Sequence, residues 1–253
     1  MSAVRTTQRP FPPSPADDWA LFLDVDGCLL EFSDTPEGVA VPPLLPARLD
    51  ALSQRLEGAL ALVSGRTLAS LDRLFAPLRL PAAGLHGLER RHEGVHVAAP
   101  PAPLQLADVL GEAQRIAAMH RGVVVEDKGP AIALHWRAAP AAAQALTDFA
   151  ANALPRLPGF RLQHGDQVVE LRPAAADKGD AIAAFLEQPP FRGRQPVFAG
   201  DDLTDEHGFE IVNARGGVSV LVGARESSAA RCRLEAPRAV HAWLGLDYGD
   251  ANR

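Results

Sequence analysis

Cysteine is scarce in the 253-residue chain: Cys28 and Cys232 are the only two, and they fit neither a metal-ligand spacing nor a disulfide framework. Two free thiols in a reducing compartment are the expectation. Positive charge is in deficit as well. The formal net charge is -6 and no basic stripe with interleaved aromatics occurs, which argues against an extended nucleic-acid surface. No apolar run approaches the ~18 residues that span a bilayer, and the first eighteen residues lack the apolar centre of a signal peptide. The expectation is a cytoplasmic protein with neither a membrane nor a nucleic-acid partner.

What the chain has is apolar mass: 47% of its residues are hydrophobic, enough for one large core or two modest ones. The opening Arg9-Pro10-Phe11-Pro12-Pro13-Ser14-Pro15 reads as a disordered or extended lead-in with no assigned role. Leu21-Phe22-Leu23-Asp24-Val25-Asp26-Gly27 then reads as a buried strand of a parallel sheet, a type that delivers ligand-binding groups at its carboxyl end. Asp24 and Asp26 would share a face if the strand continued, and Gly27 allows a sharp turn. The pair alone is also compatible with helix capping or a turn aspartate before glycine.

Leu45, Leu49, Leu52 and Leu56 lie at helical spacing. A second buried strand, Ala59 to Val63, stops at Ser64-Gly65-Arg66, where Thr67 is placed to cap a helix through Leu74. A third run, Pro81 to Leu85, ends in His86-Gly87, and Leu88 to Val97 reads as a hairpin turning at Glu93-Gly94. The stretch Ala98 to Pro103 reads as a hinge. Beyond it two helices and four short strands form a separate α+β module, after which alternation of helix and strand resumes from Lys178. The predicted division is therefore a lead-in (1–18), a first core part (19–97), an inserted module (98–170) and a second core part (171–253).

In the module, strand parity puts Glu126 and Lys128 on one face, and His135 and Arg137 opposite Ile132, Leu134 and Trp136; Glu170 adds another charge. Such a face suits sugar hydroxyls, and it equally suits a half-solvated antiparallel sheet. In the core, Lys178 opens a helix, and Gly200-Asp201-Asp202-Leu203-Thr204-Asp205-Glu206 follows the strand Val197 to Ala199. Four strand and helix tips thus converge, bringing Asp24 and Asp26, Ser64, Lys178, and the acidic group Asp201, Asp202 and Asp205 to one edge.

The order Asp-x-Asp-Gly, Ser-Gly-Arg, Lys-Gly, Gly-Asp-Asp-x-Thr-Asp-Glu resembles the haloacid dehalogenase-like phosphohydrolases. Within that superfamily, His86-Gly87-x-Glu89, the strand Ala131 to Arg137 and Gly200 to Glu206 look most like the trehalose-6-phosphate phosphatases. The resemblance implies an α/β fold, a Rossmann-like parallel-sheet core with an inserted α+β cap of the C2 type. It implies a trehalose 6-phosphate phosphatase activity in which Asp24 is the nucleophile, giving an aspartyl-phosphate, and Asp26 is acid and then base. Ser64 and Lys178 would hold phosphoryl oxygens, beside Gly65 and Arg66. Mg²⁺ would be held by Asp24, the main-chain carbonyl of Asp26 and Asp201, with Asp202 and Asp205 in support.

By the same resemblance, His86, Glu126, Lys128, His135, Arg137 and Glu170 would read the sugar as the cap closes on hinges near Ala98 to Pro103 and Leu171 to Ala174. A synthase supplying trehalose 6-phosphate is the implied functional partner. One departure stands out: Cys28 occupies the place where the family usually has threonine, which puts a threonine-dependent phosphate contact in doubt and implies an oxidation-sensitive activity. The competing readings are another sugar-phosphate phosphatase, a phosphomutase, or a catalytically silent sugar-phosphate sensor.

Overall fold

The computed structural model describes residues 9–33, 35 and 38–246. In chain order, β1 (Trp19–Leu23), α1 (Leu45–Arg55), β2 (Leu60–Val63), α2 (Leu68–Leu74) and β3 (Ala82–Gly84) lead into a hairpin of β4 (Glu89–His92) and β5 (Val95–Val97). Then come α3 (Leu104–Ala118), β6 (Val124–Asp127), β7 (Ile132–His135), α4 (Ala143–Ala153), β8 (Phe160–Gly165) and β9 (Val168–Pro173). The last segment carries α5 (Lys178–Leu186), β10 (Gln195–Gly200), α6 (Glu206–Ala214), β11 (Val218–Val222), β12 (Cys232–Leu234) and α7 (Pro237–Leu244).

All five residues of β1 are buried, because a strand with helices on both faces has no solvent side on which to alternate polar residues. It sits inside an eight-stranded sheet of order β12-β11-β10-β1-β2-β3-β4-β5, parallel except where β4 and β5 turn back antiparallel at one edge. The chain winds outward from β1 through β2 and β3, and in the other direction from β10 through β11 and β12. The neighbours β1 and β10 therefore flank the point where winding reverses, the usual ligand crevice of such sheets. Register fixes their tips: Leu23 pairs with both Ala199 and Leu62, so the residues just past these three strands emerge on one edge.

Aromatic packing anchors α5 on this sheet. Phe22 of β1 stacks on Phe191 with ring centroids 5.4 Å apart and meets Phe185 of α5 at 5.9 Å. Such pairs add about 0.5–1.5 kcal/mol each beyond the area they bury. They hold the helix whose first residue is Lys178.

The inserted segment forms its own antiparallel sheet, β6-β7-β9-β8. Leu106, Val109, Leu146 and Ala150 of α3 and α4 bury against Ile132, Leu134, Val169 and Leu171. By strand parity the other face carries Glu126, His135, Gln163 and Glu170, and it turns toward the core crevice. The fold is thus an α/β core with a parallel-sheet centre and an α+β cap.

Three sequence expectations meet the structure differently. The division drawn after residue 170 falls inside β9, which continues to Pro173. The strand β12 was not foreseen; three residues between loops give too short an apolar signal. The lead-in is extended but not idle: Arg9 Nε donates to Ala230 O at 2.9 Å, Arg233 N to Pro10 O at 3.0 Å and Trp243 Nε1 to Pro13 O at 2.7 Å. Its first eight residues, and 247–253 of the second core part, lie outside the described residues. Among the described residues no helix is long and apolar enough to cross a membrane.

Candidate active site

Asp24 leaves β1 with its N–H bonded to Ala199 O at 2.9 Å, which ties the first tip to the β10 tip. Gly27 then turns with φ +82°, and a Cβ there would collide with the Asp201 carboxylate. Glycine is required twice over, for its conformation and for the approach of Asp201. One carboxylate oxygen each from Asp24, Asp201 and Asp205 lie within 4.8 Å of one another.

Lys178, at the start of α5, answers this negative charge. Its Nζ is 2.7 Å from Asp205 Oδ1 and 3.0 Å from Asp24 Oδ2, with all three side chains buried. Burial works against the ammonium, but Asp205 and Asp24 outweigh it and raise the lysine pKa. One ammonium does not balance three carboxylates. Burial, and then neighbouring carboxylates, push Asp24 up to about 7 and Asp201 well above its usual range. Asp202, too, is raised by burial.

The roles within the acidic group separate by their bonds. Both oxygens of Asp205 are committed: Oδ1 to Lys178, Oδ2 to the N–H groups of Asp201 and Asp202 at 2.9 and 3.0 Å. Asp202 caps the following turn through Leu203 N at 2.7 Å. Asp201 Oδ1, in contrast, is buried without a hydrogen-bond partner. An orphaned carboxylate oxygen beside a second, under-neutralised carboxylate is a donor set that suits a hard divalent cation.

The Ser-Gly-Arg turn follows β2. Ser64 is buried, its Oγ accepting from Arg66 N at 3.1 Å, and Glu89 Oε1 accepts from Leu68 N at 2.6 Å, bracing α2 where it leaves the turn. A Cβ on Gly65 would lie 2.7 Å from the His86 ring, so only glycine admits the imidazole. Leu85 and His86 both take left-handed backbone conformations, φ 50° and 56°, a strained pairing for non-glycine residues that sets the ring in the crevice. Arg66 grips both oxygens of Asp26, Nε to Oδ2 and Nη2 to Oδ1, each at 2.7 Å.

The cap reaches the core through Lys128. Its Nζ donates to Gly65 O at 3.0 Å and pairs with the buried Glu170. Burial opposes both charges, yet each raises or lowers the other toward the ionised form: Lys128 goes up and Glu170 down. His86 Nε2 lies 3.3 Å from Glu170 Oε2 without hydrogen-bond geometry, and burial lowers its pKa. Glu126 accepts from His135 at 3.0 Å. Arg137 pairs with Asp166 at 2.9 Å and lies over the Phe32 ring of the core at 4.5 Å. A Cβ on Gly165, at the tip of β8, would stand 2.8 Å from Asp202 Oδ2, which marks how closely the two units approach.

One cleft is lined by Asp24, Asp26, Ser64, Gly65, Arg66, His86, Glu126, Lys128, His135, Arg137, Glu170, Lys178, Asp201 and Asp202. Asp205 stands behind it. Sequence reasoning overlooked Phe32, Gln163, Asp166 and Gln167, which also line it. Phe32 was within reach, since it sits on the loop that leaves Gly27. Cys28 corrects an expectation: its side chain is fully buried, and burial and then Asp24 push the thiol well up. A sequestered thiol that resists ionisation is a poor target for oxidants.

Comparison with known proteins places these features in context. A family described as trehalose-phosphatase matches residues 22–238. A probable trehalose-phosphate phosphatase of Sinorhizobium fredii (strain NBRC 101917 / NGR234) is 49% identical over 237 residues, 91% of this chain and 89% of that one. The trehalose-6-phosphate phosphatase of Escherichia coli (strain K12) is 42% identical over 236 residues, 92% and 88% of the two chains. Among solved structures, the C-terminal domain of the C. albicans trehalose-6-phosphate phosphatase superposes with a TM-score of 0.78 at 21% identity, over 94% of this chain and 97% of that one.

Proposed function

Because the chain belongs to the trehalose-phosphatase family of phosphoric monoester hydrolases, we propose that it converts trehalose 6-phosphate to trehalose and inorganic phosphate with the help of Mg²⁺. The observation that carries the reading is the convergence of Asp24, Lys178 and the orphaned oxygen of Asp201 at one sheet edge. A carboxylate oxygen of Asp24 attacks phosphorus while the ester oxygen departs, taking a proton from Asp26 to become the sugar hydroxyl. Asp26, now ionised, takes a proton from water. The resulting hydroxide displaces Asp24 from phosphorus, which frees phosphate and restores the nucleophile.

Lys178 and Ser64 orient the phosphoryl oxygens, and Lys178 offsets charge that builds on them. When bound, Mg²⁺ supplies further charge stabilisation there, held by Asp24, the main-chain carbonyl of Asp26 and Asp201. Asp26 becomes a proton donor only after Arg66 releases it. A phosphate dianion offers that guanidinium a competing bidentate partner, so substrate arrival frees the Asp26 carboxylate, which takes up a proton from solvent before it acts as the acid. The cap face presents Glu126, Lys128, His135, Arg137 and Glu170, with His86 below, to the sugar hydroxyls, and closure of residues 98–173 excludes bulk water. A reducing, cytoplasmic setting and a trehalose 6-phosphate synthase upstream complete the reading.

Phosphate release from trehalose 6-phosphate, glucose 6-phosphate and p-nitrophenyl phosphate, with and without Mg²⁺, tests it. Turnover is expected to favour the disaccharide phosphate, to require Mg²⁺, and to fall at least about a thousandfold in Asp24→Asn. Equal turnover of glucose 6-phosphate would sink the disaccharide assignment. Activity that persists in Asp24→Asn would sink the nucleophile.

A further inference from the structure

The loop between β11 and β12 carries none of the residues assigned above, yet it is built onto the acidic turn after β10. Arg225 directs its guanidinium at that turn: Nη2 lies 3.1 Å from Asp202 O, Nε 3.4 Å from Asp201 O, and Nη2 also pairs with the Glu206 carboxylate. The second oxygen of Glu206 accepts from Ala229 N at 2.7 Å, closing a ring between the loop and α6. The loop is gripped in turn from outside. Arg9 donates to the carbonyls of Glu226, Ser228 and Ala230, each at 2.9 Å, and Arg233 donates to the carbonyl of Arg225 itself.

We propose that Arg225 is a positioning residue for the cation site: it sets the main chain of Asp201 and Asp202, and through it the carboxylate of Asp201. The side chain of Asp201 cannot hold itself in place, since its Oδ1 has no partner. Its peptide groups are instead held from both ends by groups of opposite character. Asp205 Oδ2 accepts from the N–H of Asp201, and Arg225 donates to the carbonyl of the same residue. Because the guanidinium engages carbonyls and Glu206, it leaves the Asp201 carboxylate available to a cation. Partners one step beyond a ligand commonly govern cation affinity by about 10–100-fold.

This inference rests on the reading that the crevice holds a divalent cation, and one experiment tests the two apart. Mg²⁺ binding is measured by calorimetry on the full chain, as wild type, Arg225→Met, Arg225→Lys and, as a control, Asp201→Asn, with phosphate release followed across Mg²⁺ concentrations. Wild type binds, Asp201→Asn does not, and Arg225→Met binds about 10–100-fold more weakly. Saturating Mg²⁺ then brings its turnover to within about threefold of wild type, a split that a merely structural defect would not give. Arg225→Lys keeps the charge but loses the fork, and shares most of the loss. Absence of Mg²⁺ binding by wild type would overturn the cation reading. Binding by both Arg225 variants within twofold of wild type, or turnover depressed equally at every Mg²⁺ concentration, would overturn the positioning role alone. Should Arg225→Met not fold, Arg225→Lys and Glu206→Gln decide by the same titration.

Discussion

Replacing Lys178 with methionine removes the one ammonium seen pairing with Asp24 and Asp205. It sits 3.0 and 2.7 Å from these carboxylates, and the three side chains are 3%, 6% and 0% exposed respectively. At such separations each attraction is roughly 5–6 kcal/mol gross at an effective dielectric constant near 20. Desolvation of the lysine cancels part of this, and breaking a buried pair by removing one partner costs about 3–5 kcal/mol net. The cation-free protein should lose that much stability, on the order of 10 °C in melting temperature for a chain of this length. Asp205 is then left as a buried anion with only the N–H groups of Asp201 and Asp202 to hold it. Adding Asp205→Asn to the lysine variant is therefore expected to restore about 2 kcal/mol, although Asp205→Asn alone destabilises. The assay is urea unfolding followed by tryptophan fluorescence, in EDTA at pH 8, where Asp24, raised to about 7, is ionised. A Lys178→Met variant within 1 kcal/mol of wild type, or a double-mutant cycle with no coupling between the two sites, would refute this account.

Three further outcomes are expected. Between pH 3.8 and about 7 the unfolded chain ionises Asp24 while the folded chain retains its proton, so the Asp24 contribution lowers cation-free stability as pH rises and is complete above 7, while Asp201, raised by burial as well, acts in the same direction. The full penalty is about 4 kcal/mol, urea midpoints from pH 4.5 to 8 in EDTA measure it, and the slope is expected to flatten in Asp24→Asn; an unchanged slope counts against it. Gly27→Ala forces a methyl into the Asp201 carboxylate at φ +82°. It is expected to cost about 1–3 kcal/mol and to weaken Mg²⁺ binding in calorimetry, whereas wild-type affinity would mean that the close approach is not needed. Lys128→Ala is expected to lower kcat/KM for trehalose 6-phosphate by about 10–100-fold and for p-nitrophenyl phosphate by far less; equal losses would deny the cap lysine a part in reading the sugar.

The strand ends were legible because parallel topology needs little more than apolar runs and the residues that stop them. Leu21 to Leu23, Ala59 to Val63 and Val197 to Ala199 placed Asp24, Ser64 and Asp201 on one edge before any contact was known. The bonds among those residues were not legible. Nothing in Ser-Gly-Arg says that Arg66 turns back on Asp26, since that depends on rotamers and on where the first turn ends. Arg225 escaped notice because the strand before it, β11, leads into no recognised motif, although the strand-end argument applied equally to Val222-Gly223. Cys28 was misjudged because spacing alone does not give depth.

Gly165 has a consequence for evolution on this scaffold. With hydrogen in place of a side chain, the β8 tip can settle against Asp202, so this one position works as the thinnest possible shim between the two halves. A methyl there would start 2.8 Å from Asp202 Oδ2, closer than ordinary contact, and would press the two halves apart by a fraction of an ångström. Tolerance for bulkier esters could then be tuned from a residue that touches neither phosphorus nor cation, at the cost of a wetter and slower reaction.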